Sequence, residues 1–209
     1  MSLQNVNDLV TRGKAKLVPA AVQEALDEGV QATDILSAMI SAMDVVGEKF
    51  KNNEIFVPEM LISAKAMKKG VEVLKPHLAT GAVGSMGKMV MGTVAGDLHD
   101  IGKNLVIMMI ESAGFEVIDL GVDVPKEKFI EAVNENPGVK IVGLSALLTT
   151  TMPAMQETVA LLNEQAFRKD IKIMVGGAPI TQEFADKIGA DAYTPDAASA
   201  AKKAKELVA

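Results

Sequence analysis

The chain has 209 residues and only two histidines, and one of them, His99, stands between Asp97 and Asp100 in the stretch GDLHDIGKN at residues 96–104. An imidazole two residues from a carboxylate suits a metal ligand, because the carboxylate can accept the second ring N–H and so fix the tautomer. A hydrolytic triad also uses such a pair, but no G-x-S-x-G elbow accompanies this histidine. Neither G-x-G-x-x-G nor a P-loop lysine motif is present. The chain has no cysteine, which removes disulfides, thiolate metal sites and cysteine nucleophiles. The pair makes better sense as a metal ligand with its supporting carboxylate, beside the plainer reading of a solvated loop histidine, and one histidine cannot hold a free ion. The other ligands would have to come from a cofactor.

The composition bounds what can position such a site. Hydrophobic residues make up 49% of the chain and charged residues 23%, the balance of an ordered globular protein. The net charge is −6 and no basic cluster stands out, which argues against a nucleic-acid partner. The apolar runs are too short to span a bilayer, and no signal-peptide pattern opens the chain. A soluble, cytoplasmic protein without a membrane partner is expected. The 13 methionines read mainly as core filler.

Two halves obey different periods. From Leu17 to Leu78 the apolar spacing is helical: Ile35, Met39, Met43, Val46 and Phe50 recur every three or four residues, as do Met60, Ala64, Met67, Val71 and Leu74. Pro19 and Pro58 suit first turns, Gly29 a helix end, Thr33 an N-cap and Pro76 a stop. With a short helix near Val6 to Arg12, this half predicts a four-helix bundle. ATGAVGSMG at 79–87 reads as a linker. After it, short β-prone runs at 88–95, 115–121, 139–146 and 171–177, and a brief one at 191–193, alternate with amphipathic segments near 102–113, 126–136, 153–168, 180–188 and 196–208. The fold expected is α/β: an N-terminal four-helix bundle over 1–86 and a doubly wound, flavodoxin-like Rossmann domain with a five-stranded parallel sheet over 87–209.

In such a sheet ligands bind beyond the carboxyl ends of the strands, at the point where crossovers diverge. The unusual residues fall there: Gly96, Asp97, Leu98, His99, Asp100, Ile101 and Gly102 after the first strand; Ser145, Leu147 and Thr149 to Thr151 after the third; Gly176 and Gly177 after the fourth; Tyr193 after the fifth. The second strand ends in Asp119-Leu120-Gly121, which reads as an ordinary connection.

D-x-H-x-x-G, here Asp97, His99 and Gly102, S-x-L, here Ser145 and Leu147, and the paired Gly176 and Gly177 together resemble cobalamin-binding domains that hold the cofactor base-off with histidine on cobalt. VVGEKFKNNEIFVPEMLISAKAMKKGVEVL at 45–74 resembles the cap of methionine synthase and of the small corrinoid proteins of methanol, methylamine and methoxyaromatic methyltransferase systems. The likeness runs over nearly the whole chain. It implies a corrin ring between cap and α/β domain, with its nucleotide tail in the crevice of the sheet. His99 would be the lower cobalt ligand and Asp97 its hydrogen-bonded support, with Thr151 where methionine synthase has a serine behind the aspartate. The tail would pass Ser145, Leu147 and Thr149, with Gly176 and Gly177 leaving room and Tyr193 and Asp196 near its far end. Phe50 and Val57 would cover the cobalt-bound methyl, Val57 standing where methionine synthase has leucine. Such cover matters because cobalt(I) is easily lost to side reactions in water, and the glycines at 79–87 would let the cap move aside.

The resemblance implies a corrinoid methyl carrier. It would take a methyl group on cobalt(I) from a substrate-specific methyltransferase, pass through a methylated form, and deliver it to a second methyltransferase acting on tetrahydrofolate or coenzyme M. A reductive activase would be a further partner. The chain shows no acid–base machinery of its own, so turnover would need the partner enzymes. Three other readings stay open: a cobalamin-dependent sensor, the detached cobalamin subunit of an adenosylcobalamin mutase, and a flavodoxin-like domain without corrinoid. Plainer roles also exist for single residues. Phe50 and Val57 suit a bundle core, Ser145 and Thr149 to Thr151 suit helix capping, the glycine pair suits a turn, and His77 beside Pro76 suits a solvated position.

Overall fold

The computed structural model describes residues 2–78 and 86–209, and the chain divides into two compact units after residue 85. The proposed hinge at 79–87 lies outside the described residues except for Met86 and Gly87.

The first unit consists of α1 (Ser2–Thr11), α2 (Val18–Asp27), α3 (Ala32–Lys51) and α4 (Val57–Leu74). Pro19 and Pro58 sit in the first turns of α2 and α4, where a missing N–H breaks no intrahelical bond. Gly29 closes α2 with a left-handed φ of 85°. Thr33 is not the N-cap of α3: Gln31 holds that place in extended conformation and Thr33 lies in the first turn. The apolar stripes face inward as their spacing requires, with Ile35, Met39, Met43 and Val46 of α3 and Met60, Ala64, Met67 and Leu74 of α4 buried. Gly70 is the close approach between these helices, since a side chain there would meet the Met39 thioether. Asn7 Nδ2 donates to the Ala38 carbonyl at 2.9 Å and ties α1 to α3. Pro76 follows α4 in a 3-10 turn over Lys75–His77, with His77 exposed.

The second unit alternates β1 (Lys88–Thr93), α5 (Ile101–Ser112), β2 (Glu116–Asp119), α6 (Lys126–Glu135), β3 (Val139–Ser145), α7 (Met152–Asn163), β4 (Lys172–Gly176), α8 (Gln182–Ile188), β5 (Ala192–Tyr193) and α9 (Ala197–Val208). All strands are parallel in the order β2-β1-β3-β4-β5. Alternation splits the sheet into two apolar faces. Val90, Val142, Leu144, Ile173 and Val175 pack with Phe129 and Val133 of α6 and Met155, Val159 and Leu162 of α7. Met89, Met91, Ile141 and Met174 are buried on the other side, the face to which the right-handed crossover from β1 to β2 assigns α5. The segment expected to be helical over 153–168 is interrupted: α7 ends at Asn163 and a 3-10 turn spans Ala166–Asp170. Arg168 holds that turn, pairing with Asp191 at 2.9 Å and donating to the Ile171 carbonyl at 3.1 Å.

The chain leaves β1 for β2 on one side and reaches β3 on the other. That reversal opens a crevice at the carboxyl ends of β1 and β3, where a ligand site is expected in a doubly wound sheet.

Candidate functional site

Asp97 lies at the centre of that crevice, with no exposed surface. One carboxylate oxygen, Oδ1, accepts from the His99 backbone N–H at 3.1 Å and sits 2.7 Å from His99 Nδ1. The other, Oδ2, accepts from the backbone N–H groups of Leu147 at 2.7 Å and Leu148 at 3.4 Å, both on the loop after β3. Thr151 Oγ1 lies 2.8 Å from Oδ2 and 2.9 Å from the Leu148 carbonyl, two acceptors for one hydroxyl proton. Thr93, the last residue of β1, donates its hydroxyl to the His99 carbonyl at 2.9 Å. His99 is therefore anchored at ring, amide and carbonyl, while half of its side chain faces solvent.

These contacts decide the charge. Burial by itself would push the Asp97 carboxyl up, but the donors from Leu147, His99 and Thr151 outweigh it and hold the group well below the usual carboxylate range. An ionised Asp97 needs donors, so Nδ1 of His99 carries the proton and Nε2 carries the lone pair, on an exposed ring. The capping role open to Thr151 is not the one it takes. As N-cap of α7 it makes no side-chain cap bond, and its hydroxyl turns to Asp97 and the Leu148 carbonyl instead.

The connection after β2, expected to be ordinary, is part of this assembly. β1 goes on pairing past the end of β2, with Thr93 N–H on the Gly121 carbonyl at 3.0 Å, Val124 N–H on the Thr93 carbonyl at 3.0 Å and a parallel bridge between Val94 and Val124. Asp123, at a left-handed φ of 52°, accepts from the Gly96 N–H at 2.7 Å and donates its own N–H to the Asp97 carbonyl at 2.9 Å. Asp119 accepts from Lys103 Nζ at 2.6 Å and from the Gly121 N–H at 2.9 Å. Lys103 is a buried lysine on α5, and its ammonium also meets Asn104 Oδ1 at 2.8 Å. Asn104 in turn donates to the Asp100 carboxylate at 3.0 Å. A sequence clue existed: an apolar helix rarely buries a lysine without an acid to pair it.

The remaining expected residues fall in several places. Gly96, with φ of 81°, Leu98, Asp100, Ile101 and Gly102 share the β1 loop and the start of α5. Leu98 and Ile101 are 73% and 85% exposed, and Leu147 and Leu148 across the crevice are also exposed, so four apolar side chains are left uncovered around His99. Ser145 ends β3, and Thr149 is exposed beyond it. Gly176 ends β4. Gly177 does not leave open space in the direction of a side chain: at φ of 129° its missing Cβ points into the Ala146 carbonyl, so the glycine serves the chain's own close packing. Tyr193 packs partly against the sheet core, and Asp196 caps α9, accepting from the Ser199 N–H and hydroxyl at 2.8 Å each. In the helical unit Phe50 is half-buried at the end of the α3 stripe, whereas Val57 is exposed at the start of α4. Phe56, which the sequence reading passed over, is more exposed still. Its signal was the apolar triplet Ile55-Phe56-Val57 between a polar turn and a proline-led helix.

Among the described residues no group of three His, Asp or Glu side chains is arranged to hold a bare metal ion. Two family models, each described as a B12 binding domain, match residues 87–202 and 3–75. The chain is also 45% identical over 208 residues to dimethylamine corrinoid protein 1 of Methanosarcina acetivorans, covering 99% of this chain and 97% of that one. The chain belongs to the methyltransferase corrinoid protein family. Solved structures of the family agree in fold. A cobalamin-binding protein from Desulfitobacterium hafniense superposes with a TM-score of 0.84 at 32% identity, covering 99% of this corrinoid protein and 98% of that chain. A chain of the methanol:cobalamin methyltransferase complex from Methanosarcina barkeri superposes at 0.86 with 30% identity, covering 99% of this chain and 79% of that one. Corrinoid binding, by a helical unit followed by a Rossmann-like sheet, is thus a property of this chain. Among the described residues no helix is long and apolar enough to cross a membrane.

Two stability predictions follow from this geometry. The folded state depresses the proton affinity of Asp97, so its contribution is full above the unfolded value near pH ~4 and is lost as pH falls below it. Asp97→Asn should destabilise by about 3 kcal/mol at neutral pH and flatten the acid limb relative to wild type in urea titrations. The Lys103–Asp119 pair should respond asymmetrically. Asp119→Ala strands a buried ammonium and should cost on the order of 3 kcal/mol, whereas Lys103→Met leaves a half-exposed carboxylate that water can serve and should cost less. Equal losses in urea unfolding would contradict that account.

Proposed function

We propose that this chain is a methyl carrier that holds a corrinoid base-off with His99 Nε2 as the lower cobalt ligand. The observation that supports this most directly is the hold on His99, whose ring is fixed by a buried, ionised Asp97 so that the Nε2 lone pair stands on an exposed edge. A broad, largely apolar ring that brings its own nitrogens to the metal fits both the lack of a further cluster of protein donors among the described residues and the uncovered Leu98, Ile101, Leu147 and Leu148. When bound, the corrinoid supplies the cobalt that takes up and gives up the methyl group.

The protein's share is positioning, exclusion of water and control of one proton. Asp97 keeps that proton on Nδ1 and raises the donor strength of Nε2, while Thr151 and the Leu147 N–H temper the carboxylate from the far side. Gly96, Asp100 and Gly102 complete the ligand loop. Ser145, Leu147, Thr149, Gly176 and Gly177 would flank the nucleotide tail, with Tyr193 and Asp196 at its far end. Phe50 and Val57, joined by Phe56, would shield the reactive face of the cofactor.

The partners in this reading are a substrate-specific methyltransferase, a second one serving tetrahydrofolate or coenzyme M, and a reductive activase. The names of the relatives favour a methylated amine as donor. A sensor or mutase role has no comparable support among them.

His99→Ala should bind corrinoid without the nitrogen coupling of an axial imidazole in the paramagnetic resonance of the cobalt(II) state. Retention of the wild-type spectrum would remove His99 from the metal. Phe50→Ala should raise the air-oxidation rate of the reduced, corrinoid-loaded protein, and an unchanged rate would return Phe50 to the helical core.

A further inference from the structure

We propose that Asp123 is the positioning residue that sets the reach of His99 toward the metal, acting through Gly96 and Asp97 and touching no ligand itself. Its functional consequence rests on the assignment of His99 as the cobalt ligand.

The loop that carries His99 must leave β1, turn, and enter α5 within seven residues, 94 to 100. Its exit is held by the side chains of Thr93 and Asp97. At its entry Val94 N–H is held by the Ser145 carbonyl at 3.0 Å, and the next turn is held by one residue of the β2 connection. Asp123 Oδ1 receives the Gly96 N–H at 2.7 Å, and the Asp123 N–H reaches the Asp97 carbonyl at 2.9 Å. The two bonds bracket the Gly96–Asp97 peptide, so a shift of Asp123 moves Asp97 as a whole. Asp97 in turn carries the His99 ring on Oδ1. The bracket has a backbone requirement as well, since Asp123 holds φ of 52° and Gly96 holds 81°. Aspartate and asparagine tolerate that left-handed region better than most residues. The geometry thus gives an acid in an exposed turn its role: what the carboxylate serves is a backbone amide.

The carboxylate is needed here as an acceptor and not as a charge, which makes the series of variants informative. Asn keeps both the acceptor and the conformation, Gly keeps only the conformation, and Ala keeps neither. The first readout uses corrinoid-free protein: the proton resonance of the His99 Nδ1–H held by Asp97, assigned by its loss in His99→Ala. Asp123→Gly and Asp123→Ala should shift or broaden it, and Asp123→Asn should leave it near the wild-type position. The second readout uses the corrinoid-loaded protein. Gly and Ala should weaken cobalamin affinity by roughly tenfold, the scale seen for groups that orient metal ligands, and lower the fraction with imidazole nitrogen coupling, with Asn restoring both.

A wild-type resonance and affinity in Asp123→Gly would overturn the proposal, because only the backbone conformation would then matter. Loss in Asp123→Asn equal to that in Gly would also overturn it, as would failure of both Ala and Gly to fold, which would make the residue a plain structural one. The two levels separate cleanly. If His99→Ala keeps the wild-type cobalt spectrum, the ligand assignment fails while the result on the corrinoid-free resonance stands.

Discussion

A carboxylate removed from water must be surrounded by donors or give up its charge, and Asp97 is surrounded. Two amides of the β3 loop, the hydroxyl of Thr151, and the amide and ring of His99 all converge on its two oxygens. That single group therefore joins the loop after β1 to the loop after β3, across the opening left where the crossovers part. Everything exposed at this edge takes its place from that junction: the imidazole, the leucines around it, and the turn into α5. The same contacts that solvate the charge also select the tautomer of the histidine, so folding energetics and ligand chemistry are one set of hydrogen bonds.

The sheet supplies the distances that this arrangement requires. β1 lies between β2 and β3, and the loops on either side of it are what the central carboxylate and the bracket from Asp123 connect. The β2 connection approaches from one flank and the β3 connection from the other, and the two could not both do so if β1 were an edge strand. The buried Lys103 fastens the first turn of α5 to the end of β2 in the same region. Helix, loop and strand are thus locked on both sides of the histidine while the ring itself stays open.

Much of this was legible in the residues. Helical and strand periods gave both halves and their order, since apolar spacing is a direct record of which face is buried, and the inward stripes of α3 and α4 are buried as expected except at Phe50 and Val71, which are half-buried. The histidine loop was legible because chemistry needs a carboxylate near an imidazole, and the closeness in sequence revealed it. The β2 connection was not, because Asp119 and Asp123 act on partners 16 and 27 positions away, and local pattern carries no trace of such pairing. Thr33 and Thr151 show the same limit from the other direction: both have the chemistry of helix caps, but one lies inside its helix and the other turns its hydroxyl away from the role. For Gly177 the residue type spoke for close approach, but only coordinates show that the neighbour is the Ala146 carbonyl.

The separation of the contributing segments along the chain has a kinetic side. Asp97 meets Leu147 and Thr151 across 50 and 54 residues, and the pairing of β1 with β3 must exist before those bonds can form. Contacts of that span close late in folding, after the intervening loop entropy has been overcome. An unfinished chain therefore displays a histidine without its buried carboxylate, a poor metal ligand with no fixed tautomer. With His99 as the proposed ligand, capture of a scarce cofactor would in this way be confined to molecules that have completed their sheet, and its binding energy would accrue to the native state alone.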